Sequence, residues 1–98
     1  MIAGFEVVEL AGHAPGMIGL WRAADGVALV SDCIYMTDMH GRPQPPAVPV
    51  DPYNFDTSQA RESIRKLSRL QPKIVFPGHL GPLSGPGTVD QLEAAAAG

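Results

Sequence analysis

The chain has 98 residues, of which 45% are hydrophobic and only 17% charged, with a net charge of −3. A domain of this size buries roughly two-thirds of its unfolded surface. So few charges leave apolar area uncovered, and one face is expected to be covered by something outside the chain. The acidic balance excludes a phosphate-backbone binder, so no nucleic-acid partner is expected. A single cysteine, Cys33, excludes an internal disulfide, and no run approaches the ~20 apolar residues of a membrane span.

The first segment, Met1 to Leu10, has no basic start and is interrupted by Glu6 and Glu9, which is unlike a signal peptide. A reducing, cytoplasmic setting is the expectation. Phe5 to Leu10 is rich in β-formers and ends at Ala11-Gly12, which predicts a strand running into a loop. Met17 to Ala23 and Val27 to Ser31 flank Asp25-Gly26, and an Asp-Gly pair between two apolar runs predicts an antiparallel hairpin.

From Met36 to Phe55 the chain carries Pro43, Pro45, Pro46, Pro49 and Pro52 with no apolar period, which reads as a long irregular connection. It is either functional or an extended surface strap. A helix follows, with Asp56, Thr57 or Ser58 as N-cap and Ala60, Ile64, Leu67 and Leu70 on one stripe, stopping near Gln71 ahead of Pro72. Its basic residues, Arg61, Arg65, Lys66 and Arg69, fit a solvated helix face. Lys73 to Phe76 is a short apolar run suited to an interior strand, ended by Pro77-Gly78. Thr88 with Gln91 three residues on resembles a capping box, opening a last helix through Ala97 with Val89 and Leu92 as its large anchors.

Two of the three histidines sit in small-residue loops after predicted strands: His13 in Gly12-His13-Ala14-Pro15-Gly16 and His79 in Pro77-Gly78-His79. Such loops turn sharply and leave an imidazole accessible. Asp32 falls at the end of the strand Val27 to Ser31, so three potential ligands lie at or just beyond strand ends. Singly, each is equally an ordinary turn or strand-end residue. Together, imidazole and carboxylate suit zinc, iron or manganese. Cys33 would point to the opposite face from Asp32 in a continuing strand, which makes it a small buried hydrophobe. His40 stands alone in the Pro-rich stretch and reads as a solvated loop residue.

The run GHAPG, then SD with Tyr35 three residues after Asp32, then PGH before Leu80-Gly81-Pro82, resembles the later ligand motifs of the metallo-β-lactamase superfamily, in the same order. The segment DTSQARESIRKL resembles the helix before the last ligand in many of its hydrolases, and the likeness extends over about residues 5–84. It implies an α/β (α+β) fold, half of an αββα sandwich: a mixed sheet with an antiparallel hairpin and a helix on one face. The chain would form a single partial domain, with ligand loops at 12–16, 31–35 and 77–82. The resemblance makes His13 a ligand of a first metal, Asp32 the carboxylate bridging both metals and His79 a ligand of the second. Tyr35 resembles a tyrosine that contacts substrate or its oxyanion in lactonase-like members. Ala14 stands where the family often has Thr or Ser. The opening motif of the family, His-x-His-x-Asp-His, does not occur in these residues.

The implied activity of the complete site is hydrolysis of an ester, lactone, thioester or related bond of a small-molecule substrate, with two zinc ions, or iron or manganese, activating water. Alone, the chain is expected to bind metal weakly and turn nothing over. The missing ligands would come from an N-terminal half. The alternative is a non-catalytic remnant or binding module that associates through its sheet face, a homodimer being one form.

Overall fold

A computed structural model describes residues 3–38, 40–49 and 54–97. Among these residues nine elements follow in chain order: β1 (Glu6–Glu9), β2 (Ile18–Arg22), β3 (Val27–Ser31), β4 (Tyr35–Thr37), β5 (Pro43–Ala47), α1 (Thr57–Arg69), β6 (Ile74–Pro77), β7 (Leu83–Ser84) and α2 (Thr88–Ala97). Five strands form one sheet in the order β1-β2-β3-β6-β7, while β4 and β5 pair separately. The hairpin expected at Asp25-Gly26 joins β2 to β3, β6 runs parallel to β3, and β7 returns antiparallel, so the sheet is mixed and β6 is interior.

Strand alternation divides the side chains between the two faces. Trp21, Ala28, Val75 and Leu83 occupy one register row and, with Val30, meet Ile64 and Leu67 of α1 and Leu92, Ala95 and Ala96 of α2 in a single buried core. Both helices therefore lie on that face. Each fully buried Leu or Ile there contributes roughly 1.5–3 kcal/mol. The helix stripe read from the sequence is the buried one: Ala60, Ile64 and Leu67 are all nearly inaccessible. Asp56 is the N-cap of α1, its carboxylate accepting from the Gln59 N–H at 3.0 Å.

The opposite face is open. Val7, Leu20, Leu29 and Phe76 share one register row across four strands, and Val7 and Phe76 are 66% and 41% exposed. Ile18, on the same side, is 49% exposed. This is the uncovered apolar surface that the low charge content implied.

Four local readings change. The connection after Met36 is not structureless in its described part: β4 and β5 form an antiparallel pair around a turn in which Asp38 Oδ1 accepts from the His40 and Arg42 N–H groups at 2.8 and 2.9 Å, while residues 39 and 50–53 lie outside the described residues. Prolines concealed it, because they disfavour central strands yet fit an edge strand. Thr88 makes no capping box; its hydroxyl donates to Gly85 O at 2.8 Å, and the Gln91 N–H donates to Gly87 O. Leu92 anchors α2, but Ala95 and Ala96 supply the rest of its contact, with Val89 only half-buried. The basic residues of α1 are not all free in solvent either: Arg65 pairs with Glu62 and donates to Ala96 O, and Lys66 Nζ donates to Glu9 O at 3.0 Å.

Candidate metal centre

Strand direction alone brings the three ligand candidates to one edge of the sheet. β1 and β3 are each antiparallel to β2, so they run the same way, and β6 is parallel to β3. His13 follows β1, Asp32 follows β3 and His79 follows β6. All three chains leave the sheet at the same end.

Local backbone features then aim the side chains. Gly12 has φ +135°, and a Cβ there would lie 2.2 Å from the Ala60 nitrogen, so the loop rests directly on the backbone of α1. Two backbone bonds hold it: Phe55 N–H to His13 O at 3.1 Å and Asp56 N–H to Gly12 O at 2.8 Å. Ser31 has φ 50°, a left-handed conformation that ends β3 and turns the chain at Asp32. Gly78 donates to Ser31 O at 2.8 Å, and a Cβ on it would meet Asp32 Oδ1 at 2.5 Å, so a side chain there would displace the carboxylate. Leu80, directly after His79, also has a positive φ, 56°. Left-handed residues other than Gly cost roughly 1–2 kcal/mol each and gather where function constrains the chain.

The result is a carboxylate flanked by two imidazoles. His13 Nε2 lies 4.0 Å from Asp32 Oδ2, and His79 Nδ1 lies 3.2 Å from Asp32 Oδ1. Each oxygen addresses a different ring. Among the described residues no three His, Cys, Asp or Glu side chains form a group that could hold one metal ion. The His13 side chain is mostly enclosed at 18% exposure, whereas His79 is 70% exposed. A groove of about 420 Å³ beside α1, lined by Glu9, Ser63, Lys66 and Arg69 among others, contains none of the three.

Tyr35 opens β4 and places its ring edge-on to His13, with centroids 5.7 Å apart at 66°. His40 is an exposed turn residue. Asn54 escaped the sequence reading. Its Oδ1 lies 3.2 Å from His13 Nδ1, and its amide nitrogen donates to Pro49 O and, at 3.3 Å, to Thr57 Oγ1. Two residues before a helix cap, an asparagine reads as a capping residue, and nothing local signals a partner 41 positions away.

Cys33 is buried in the core beside Ile34, as expected, and burial pushes its thiol up to about 12. Between the ordinary value of 9.0 and about 12 the unfolded chain releases a proton that the folded chain keeps, so this group's contribution to stability declines as pH rises above about 9. At pH 8 an aromatic disulfide reagent should label Cys33 at least about 100-fold more slowly in the native chain than in urea. Equal rates would show that the thiol is accessible.

A sequence model described as the metallo-beta-lactamase superfamily matches residues 1–79. The chain belongs to that superfamily. It is 36% identical to the probable metallo-hydrolase YflN of Bacillus subtilis (strain 168), over 76% of this chain and 30% of that protein. It is also 30% identical to the probable metallo-hydrolase YqjP of the same organism, over 85% of this chain and 26% of that one. The chain therefore spans less than a third of either relative. The fold matches a metallo-β-lactamase family protein of Thermus thermophilus, TTHA1429, with a TM-score of 0.65 at 22% identity, covering 92% of this chain and 29% of that one. TTHA1623, solved in a di-iron-bound form, matches with a TM-score of 0.63 at 24% identity, over 98% of this chain and 42% of that one. These likenesses agree with a mixed sheet carrying an antiparallel hairpin and helices on one face.

Proposed function

We propose that this chain forms the C-terminal portion of a metal-dependent hydrolase domain, supplying His13 to one metal ion, His79 to a second and Asp32 to both. The observation that carries this reading is the division of the Asp32 carboxylate, one oxygen toward each imidazole. The chemistry of the donors supports it, since imidazole and carboxylate suit zinc, iron and manganese, with zinc our first choice. Bound ions at such a site would activate water and polarise the oxygen of an ester, lactone, thioester or related small-molecule substrate. His13 and His79 hold their positions through the loops described above, and to Tyr35, whose ring meets that of His13, we assign a contact with substrate or its oxyanion. We place the protein in the cytoplasm, where a lone buried thiol persists.

One imidazole and one carboxylate oxygen per position fall short of the three protein ligands usual for catalytic zinc. The remaining ligands are assigned to an N-terminal portion of the domain, a reading supported by the short span of this chain against YflN and YqjP. Calorimetric titration of the 98-residue chain with zinc should give a dissociation constant above about 1 μM, and no hydrolysis of activated esters or lactones. Sub-micromolar binding with turnover would overturn the need for further ligands. No heat at millimolar zinc would sink the metal reading itself.

A second reading rests on the open row of Val7, Leu20, Leu29 and Phe76: a non-catalytic module that pairs with another chain, or with its own copy, through this sheet face. Sedimentation of the same preparation separates the two forms of partner, because a homodimer doubles the mass of the isolated chain. A monodisperse monomer at high concentration counts against self-pairing.

A further inference from the structure

We propose that Asn54 is a positioning residue that fixes the tautomer of His13, holding the proton on Nδ1 and leaving the Nε2 lone pair turned toward Asp32. The inference rests on the metal reading of the site only for its consequence; the bond itself is a property of the chain alone.

Pro49 lies five residues before Asn54. Its carbonyl can only accept, so the Asn54 atom bonded to it must be the amide nitrogen. The Thr57 hydroxyl, which can donate or accept, decides nothing. With the nitrogen committed to Pro49, the amide oxygen faces His13 Nδ1 at 3.2 Å. An oxygen with no hydrogen requires a donor opposite it, and the only donor available on that ring atom is Nδ1–H. In the neutral ring the other nitrogen, Nε2, is then unprotonated, and it is the one that lies 4.0 Å from Asp32 Oδ2. Neutral imidazole in water prefers the opposite tautomer, so this bond reverses the intrinsic preference.

The backbone makes the arrangement stiff. The Phe55 and Asp56 N–H groups bond His13 O and Gly12 O, so the residue after Asn54 is fastened to the residue that Asn54 orients. Pro49 is buried and Asn54 partly so, and rotating the amide by half a turn would set its oxygen against the Pro49 carbonyl. A ligating histidine that donates its second N–H to a fixed acceptor is oriented and made more basic, and loss of such a partner typically lowers metal affinity by about 10–100-fold.

The test is long-range ¹H–¹⁵N correlation of the imidazoles in the metal-free, ¹⁵N-labelled chain, at a pH where the rings are neutral. His13 should carry its proton on Nδ1 in the wild type and shift to Nε2 in Asn54→Ala, with the circular-dichroism spectrum unchanged. Zinc should then bind Asn54→Ala about tenfold or more weakly. A merely structural role would lower the melting temperature and leave the tautomer as it was. His13 protonated on Nε2 in the wild type, or a tautomer unmoved by Asn54→Ala, overturns the proposal; the wild-type spectrum alone decides this even if the variant does not fold. A switch of tautomer with His13 and His79 signals indifferent to zinc would support the Asn54 bond and overturn the metal reading instead.

Discussion

Replacing Gly12 with alanine should destabilise the chain by roughly 3 kcal/mol or more, a large part of the total for a small domain. The added Cβ would sit 2.2 Å from the Ala60 nitrogen, 2.4 Å from its Cα and 2.7 Å from the Gln59 carbonyl carbon. All three are backbone atoms of the first turn of α1, so no flexible side chain can yield. The φ of +135° adds its own penalty for any residue with a Cβ. To relieve the overlap the loop must part from α1, which breaks the bonds from Phe55 and Asp56 and withdraws His13. Gly16→Ala in the same loop is the control: φ is +73° but nothing lies within 4 Å of the new Cβ, so the cost should be only about 1 kcal/mol. Urea unfolding followed by circular dichroism measures both. Equal midpoints for the two variants would refute the close packing of Gly12 on α1.

Asp32→Ala should abolish zinc binding at both positions, whereas His13→Ala and His79→Ala should each spare one. This follows from the geometry rather than from the count of ligands, because each Asp32 oxygen faces a different imidazole. The drop for Asp32→Ala should exceed the roughly 10–100-fold that loss of an outer partner costs. The carboxylate is 31% exposed and packs against the bare Gly78, so the variant should fold, and its stability should change little. Zinc titrations read by the histidine NMR signals distinguish the cases. If Asp32→Ala behaves like a single histidine variant, the carboxylate serves one position only.

Much of this was legible in the residues themselves. The Asp-Gly hairpin, the stripe of α1 and the strand before Pro77 follow from turn chemistry and periodicity, which are local. His13, Asp32 and His79 were visible because small residues or strand ends mark each one. What lay hidden depends on distant partners. Asn54 touches His13 only because two backbone bonds lay its segment on the ligand loop, and Gly12 matters because of α1, far along the chain. The left-handed Ser31 carries no sequence mark. The β4 and β5 pair was masked by composition, since prolines argue against strands unless the edge geometry is known.

That pair has a further effect on how the chain behaves among its own copies. Three of the five residues of β5, Pro43, Pro45 and Pro46, have no N–H to offer. An unpaired strand edge ordinarily invites a foreign strand to add to it, and proline is one of the devices that blunt such an edge. The β4 and β5 pair, in which β5 packs against α2, can thus stand apart from the main sheet without offering β5 as a template for a foreign strand. In a chain that already exposes an apolar sheet face, β5 is thereby guarded against adding a second site of association.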